Sequence, residues 1–295
     1  MLDLPPGAIL LCSPLWPLPD MRLPFTKMHG LGNDFVVLDG VSRSLPDLAP
    51  HARRLCDRRF GIGCDQLLVV APASDPTCDF RMQIYNADGS EVEMCGNGIR
   101  CFARYVVDRG LTTQEEIRVE TGAGVIVPRL AGDRVRVDMG RPVLEGRRIP
   151  VDLDGLVMSH PLEVAGERIP FTCVSMGNPH AVTFVKKVAA VDLARLGPAA
   201  EGHPFFPKRA NIEFVQIDAP DEVTVRVWER GVGATLACGT GASAVCVAGV
   251  LEGRTEREVT VHLPGGDLAI EWSEADDHVY MTGPTAEVFE GSLEL

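Results

Sequence analysis

Lysine is scarce in this sequence. Of 28 lysines and arginines only four are lysine: Lys27, Lys186, Lys187 and Lys208. Lys186 and Lys187 have the look of a solvated pair at a strand end. The position of Lys27 or Lys208 does not exclude it, but nothing around either suggests a cup for a pyridoxal-type cofactor bound to lysine, so no cofactor is expected. Positive charge is also in deficit, with 41 acidic residues and a net charge of −13. Such a chain repels phosphate backbones, which argues against a nucleic-acid partner. None of the nine cysteines forms a C-x-x-C or C-x-x-C-H pair. That spacing argues against a dithiol redox protein, a zinc ribbon or a disulfide scaffold, and points to a reducing, cytoplasmic compartment. No apolar run approaches the ~18 residues of a membrane span.

What is present is a chain of 295 residues, 45% of them hydrophobic, enough to bury a sizeable core. Residues 1–20, interrupted by five prolines, are expected to be a tail without a chemical role, and patterned sequence begins after Met21. The rest repeats itself. An offset of 143 residues pairs Tyr85-Asn86 with Trp228-Glu229, Cys95 with Cys238, Gly110 with Gly253 and Gly140 with Gly283. An offset of 145 pairs Gly32-Asn33 with Gly177-Asn178, and Gln66 to Val69 with Asn211 to Phe214. Matches in the same order with so little drift imply two similar lobes, 21–140 and 141–282, with 283–295 returning to the first.

Within each half, short runs rich in β-branched residues alternate with turn residues. In the first half they are Phe35 to Leu38, Gln66 to Val70, Phe80 to Tyr85, Ile117 to Thr121 and Arg134 to Asp138. In the second they are Ala181 to Val185, Ile212 to Ile217, Val223 to Trp228, Val259 to Leu263 and Val279 to Met281. Each half has one clear helix just after its paired cysteine. Ile99, Phe102, Val106 and Val107 make a helical stripe that stops at Gly110, and the run from about Gly241 to Leu251 is apolar and small almost all round, as a buried helix is. The expected fold is α+β, with two pseudo-symmetric lobes, each a curved, mostly antiparallel sheet wrapped around a central helix.

Cys95 precedes Gly96-Asn97-Gly98 and Cys238 precedes Gly239-Thr240-Gly241, so each sits where a glycine turn enters a helix. Free N–H groups and partial positive charge at a helix N-terminus lower a thiol pKa and attract a carboxylate. Two such sites facing each other would hold one carboxylate and place a sulfur on each face of the carbon bearing it. That arrangement suits inversion of an amino-acid α-carbon, one sulfur removing the proton and the other returning one. Cys12, Cys56, Cys64, Cys78, Cys101, Cys173 and Cys246 fit the ordinary role of buried core cysteines. A phosphate loop would need a following G-K-[ST]. A zinc site of Cys95, Cys238 and His180 lacks a fourth ligand, so no metal is expected.

The chain resembles the diaminopimelate epimerase family over residues 21–291. The motifs that carry the resemblance are Lys27 to Phe35, Gly61 to Gln66, Tyr85 to Ser90, Met94 to Gly98, Gly177 to His180, Arg209 to Glu213, Trp228 to Gly231 and Ala237 to Gly241. The resemblance implies a cofactor- and metal-free isomerase that interconverts LL- and meso-2,6-diaminopimelate, in lysine biosynthesis. It implies Cys95 and Cys238 as acid and base, tuned by Glu229 and His180, with Gly96, Asn97, Gly239 and Thr240 holding the reacting carboxylate. Arg230 and Glu229 suit the charges of the substrate's far end, and Asn33, Gln66, Asn86, Asn178 and Asn211 offer amides. Cys64 stands where the family has an apolar residue, a matter of packing. A homodimer is compatible with this reading. The nearest alternative is a proline or hydroxyproline racemase, which has His after the first Cys-Gly where this chain has Asn97. A thiol redox sensor and a non-catalytic binding protein are the alternatives of other classes.

Overall fold

A computed structural model describes residues 22–294, so the expected tail 1–20 lies outside the described residues. The first sheet runs in the order Ala286–Glu294, Arg22–Gly30, Asn33–Asp39, Gln66–Pro72, Phe80–Asn86, Val119–Thr121, Gly124–Ile126, with the short Glu91–Val92 beside Phe80–Asn86. The second repeats that order with His160–Val164, Glu167–Ser175, Pro179–Phe184, Asn211–Ala219, Glu222–Glu229, Glu258–Leu263 and Gly266–Trp272. It then continues through Val279–Pro284, Arg134–Asp138 and Arg129–Ala131. Sheet membership thus changes over between Ile126 and Arg129, ahead of residue 140.

The reason is the pairing of Arg134–Asp138 with Val279–Pro284. Val137 faces Met281 and Asp138 faces Tyr280. By the repeat offset, Tyr280 is the counterpart of Val137 (280 − 137 = 143) and Met281 that of Asp138 (281 − 138 = 143). Counterparts therefore face each other crosswise, as a local twofold axis through the strand pair requires.

Asn33–Asp39 and Gln66–Pro72 in the first sheet, and Pro179–Phe184 and Asn211–Ala219 in the second, are covered on both faces, which explains their nearly unbroken apolar runs. In the first sheet Phe35, Val37, Leu68 and Val70 join the core around the central helices, and Val36, Leu38, Leu67 and Val69 join a second cluster with Leu55 and Cys56. In the second sheet Val182 and Val215 point to the central core, and Ala181, Ile212 and Phe214 point to a cluster with Leu193 and Leu196. The period of two along each strand does this sorting.

The central helices are Gly96–Asp108 and Gly239–Leu251. The second is buried over most of its length, in keeping with its small apolar residues. The expectation of a single helix per half omits Ala52–Cys56 and Leu193–Glu201. The latter was hidden by Gly197 and Pro198, both poor helix formers. The Asp192 side chain caps it, and Gly197 leaves room for the Trp228 ring, which would come within 2.5 Å of a Cβ there.

The lobes also meet backbone to backbone. The turn between the first two strands holds Leu31 at a φ of 57°, and its carbonyl oxygen lies where a methyl group on Gly265 of the second lobe would project. The oxygen of Leu236, which accepts the Gly265 N–H at 2.9 Å, closes the same space. Gly265→Ala is therefore expected to lower unfolding stability by about 1–3 kcal/mol. Urea denaturation checks this, and an unchanged midpoint would mean that the lobes do not seat in this way.

Candidate active site

Each central helix starts on a cysteine with nearly the same backbone. Cys95 caps the first helix at φ −137° and ψ 118°, and Cys238 caps the second at φ −124° and ψ 110°. Extended backbone at a cap leaves the next N–H groups without carbonyl partners in the helix. The Gly98 N–H donates to Cys95 Sγ at 3.4 Å, and Cys238 Sγ lies 3.5 Å from Thr240 Oγ1. The third residue of each turn is glycine for a steric reason. A Cβ on Gly98 would stand 3.3 Å from that of Cys95, and one on Gly241 would stand 3.2 Å from that of Cys238.

Both cysteines line one cleft of about 1430 Å³ between the lobes, with Gly96, Asn97, Gly239 and Thr240 beside them. Asn33, Gln66, Asn86, Asn178 and Glu229 also line it. Their amides are already oriented. Asn33 donates to Asp65 at 2.9 Å and accepts from Asn97 at 3.2 Å, with Cys95 Sγ 3.6 Å from the same oxygen. Gln66 donates to Asn86 at 2.9 Å.

Three residues expected at the site stand apart from the cleft lining. His180 is fully buried, with Nδ1 2.7 Å from Glu213 Oε1 and Nε2 3.0 Å from Asn178 Oδ1, so it braces Asn178 from below. Asn211 is buried and spent on backbone. It donates to the Pro179 carbonyl at 2.9 Å and accepts the Arg230 N–H at 2.9 Å. Arg230 is exposed, its guanidinium donating to the Lys208 carbonyl at 3.2 Å. Lys27 is occupied structurally, pairing with Asp34 at 2.6 Å and donating to the Gly63 carbonyl. Against the effect of burial, hydrogen bonds from Arg58 and Lys27 hold the Asp34 carboxyl well below the usual carboxylate range. Cys64 packs 3.4 Å, sulfur to sulfur, from Cys56.

The electrostatics correct the expectation of depressed thiols. Burial pushes Cys95 up, opposed by the N–H groups of Gly98 and Asn97 and by Arg100. Burial pushes Cys238 well above the ordinary thiol range, and the carboxylates of Glu229 and Glu213 add to the rise. Glu229 is itself raised by burial and by Glu213, while the Thr235 hydroxyl, 2.5 Å from Oε1, works the other way. At both cysteines, loss of hydration outweighs the N–H groups of the helix start.

Sequence reasoning missed Asp65, Glu213, Thr235, Arg58 and Arg100. Glu213 had a signal, a carboxylate on a buried strand where the repeat places Leu68. Arg58 lines the cleft and clamps Asp34 at 2.7 and 2.8 Å and Asp65 at 2.7 Å, partners that no sequence spacing announces.

Comparison with known proteins gives this cleft a family. The profile described as "Diaminopimelate epimerase" matches residues 25–145 and 172–288. A diaminopimelate epimerase of Moorella thermoacetica is 56% identical over 278 residues, covering 92% of this chain and 99% of that one. Diaminopimelate epimerase 1 of a Nostoc species is 52% identical over 280 residues, covering 92% and 100%. Among solved structures, a hydroxyproline epimerase from Agrobacterium vitis aligns with a TM-score of 0.66 at 16% identity, over 92% of this chain and 91% of that one. A PhzF-family phenazine biosynthesis protein of Bacillus anthracis aligns with a TM-score of 0.67, also at 16%, over 93% and 99%. At such identities these two share the fold alone, and the racemase alternative is less supported than the reading behind the 56% relative. The chain belongs to the diaminopimelate epimerase family.

Proposed function

We propose that the protein interconverts LL- and meso-2,6-diaminopimelate, a step of lysine biosynthesis, by passing a proton between Cys95 and Cys238 across the α-carbon. The observation that carries this is the pair of cysteine-capped helices opening onto one cleft from equivalent repeat positions. In the reacting complex the α-carboxylate lies against the free N–H groups of Gly96-Asn97 and Gly239-Thr240. There it replaces the lost hydration and takes up the charge that develops as the α-proton leaves. One sulfur, as thiolate, removes the proton and becomes a thiol. The opposite sulfur, as thiol, delivers its own proton to the other face and becomes the thiolate. The return reaction exchanges their roles.

Glu229 lies in the cleft to receive an ammonium group. Asn33, Gln66, Asn86 and Asn178 supply oriented amides, and Arg230, exposed beside Glu229, exchanges the Lys208 carbonyl for the distal carboxylate when substrate binds. His180 acts from beneath, through Asn178 and Glu213. The reading extends to a cytoplasmic homodimer, and the eight free cysteines among the described residues support the compartment. Among the described residues, no helix is long and apolar enough to cross a membrane.

Incubation with the LL isomer followed by chiral chromatography tests the activity, and absence of the meso product sinks it. Cys95→Ala and Cys238→Ala are each expected to lower turnover at least about a thousandfold, since inversion needs both faces. A folded single variant with near-normal turnover would remove that cysteine from the mechanism. In deuterated water, meso product recovered early should carry deuterium at the inverted carbon, while unreacted LL substrate stays largely unlabelled. Equal early label in both would contradict two bases on opposite faces, provided thiol exchange is shown to be slower than reprotonation.

The raised thiols also set a pH dependence. The productive free enzyme holds one thiolate and one thiol, and burial places the first ionisation above the ordinary value of about 8.5. kcat/KM should therefore climb with pH from about 6 to 8, by up to tenfold per unit. A profile already flat at pH 6 would show that the ligand-free thiols ionise far lower than their burial dictates.

A further inference from the structure

The two halves of the cleft match in backbone and differ in charge. Beneath Cys95 lies Arg100, whose side chain is entirely buried. Its guanidinium donates to the Gly96 carbonyl at 3.3 Å and to Asn97 Oδ1 at 3.0 Å, and it lies 3.4 Å from Met281 Sδ. Nε is buried without a partner, and among the described residues Arg100 belongs to no ion pair. Space for it is cut from both lobes. A Cβ on Gly30 would stand 3.1 Å from one guanidinium nitrogen, and a Cβ on Gly283 would stand 3.2 Å from Nε.

The repeat counterpart of Arg100 is Ser243 (243 − 100 = 143). Ser243 is also buried and also donates to the carbonyl four residues back, that of Gly239, at 3.0 Å, but it is neutral. On the strands beneath, the substitution runs the other way. Gly98 packs on Phe35 and Leu68, whereas Gly241 packs on Glu213. The counterparts of Phe35 and Leu68, 145 residues on, are His180 and Glu213. The titratable and charged groups that face the thiol pair are therefore Arg100 and Cys101 on the first central helix, Glu213 and His180 on the strands beneath the second, and Glu229 at the end of Glu222–Glu229.

A buried cation without a carboxylate is costly to keep unless negative charge comes to it. Two thiols interact with Arg100, those of Cys101 and Cys95. Burial pushes Cys101 up to about 12, which leaves a thiolate at Cys95 and the carboxylate held at the helix starts as the sources of negative charge. We infer that Arg100 is a positioning residue that makes the two thiols inequivalent, so that the singly ionised free enzyme carries its charge on Cys95 and its proton on Cys238. Arg100 also fixes Asn97, whose Nδ2 donates to Asn33 Oδ1 beside Cys95 Sγ. The direction of the shifts agrees. Burial raises both thiols and Glu229 adds to the rise at both, but at Cys95 Arg100 offsets part of it, while at Cys238 Glu213 adds to it as well. A substrate whose α-proton faces Cys95 then meets the base ready, and the opposite isomer waits for a proton to change sides.

The inference rests on the two-cysteine reading, but its test needs no turnover. Substrate-free protein is treated with trace iodoacetamide across pH 6.5–9.5, about the ordinary thiol range, and alkylation of each cysteine is followed by peptide mass spectrometry. The pH at which a rate rises reports ionisation, and its plateau reports access. In the wild type, alkylation of Cys95 should rise at lower pH than that of Cys238. In Arg100→Met, alkylation of Cys95 near pH 7, relative to its plateau, should fall about tenfold, and Arg100→Lys should retain most of the wild-type rate. A purely structural Arg100 would lower the thermal midpoint and leave the titration of Cys95 in place. Cys238 ionising first in the wild type overturns the inference, as does a folded Arg100→Met whose Cys95 titrates as before. If Arg100→Met does not fold, the wild-type order decides. Correct order with no epimerase activity would instead fault the two-cysteine reading.

Discussion

The structure turns on one constraint, that two cysteine-capped helix starts open onto one cleft from equivalent positions, as the proposed inversion between two thiols requires. A duplicated lobe with a twofold axis meets it by repeating one local device twice. A cysteine in extended backbone caps a helix, and a glycine three residues on lets the side chain lie over the first turn. The crosswise pairing of Val137 with Met281 and Asp138 with Tyr280 keeps the axis in place. Met281 and Met139 lie near Gly96, and Met281 also lies near Gly239, so the strands at the axis form the floor beneath both helix starts.

The surrounding layers hold those starts still. Each sheet uses one face for the central core and the other for an outer cluster under a short helix. The helix ends then cannot shift without disturbing packed side chains on both sides of a sheet. Polar groups near the cleft are tied down in the same way. Asp34 is clamped by Lys27 and Arg58, Asn33 by Asp65, and Asn178 by His180. The amides facing the cleft are thus oriented before any ligand enters, which lowers the entropy lost on binding.

Backbone symmetry does not extend to charge. One half buries a guanidinium where the other has a serine hydroxyl. The other half buries a carboxylate and an imidazole where the first has Leu68 and Phe35. A substrate with two amino-acid heads and one reacting centre is not symmetric about the axis, and an unequal pair of thiols suits it.

By itself the sequence determined the repeat, the strand runs, the two central helices and the two cysteines. Each of these is written in neighbouring residues: a period of two, a stripe such as Ile99, Phe102 and Val106, or a glycine turn after cysteine. It also exposed the family motifs. Only the tertiary structure decided which polar groups meet. Asn211 and His180 look like ligands in their motifs, yet they spend their hydrogen bonds on the Pro179 carbonyl and on Glu213. Arg100, just past the Met94 to Gly98 motif, reads as one more helix-surface arginine, until Gly30 and Gly283, far from it in the chain, enclose it. The raised thiols belong to the same class. Local pattern predicted depression from the helix starts, but the cost of dehydrating a thiolate depends on everything the fold brings around it.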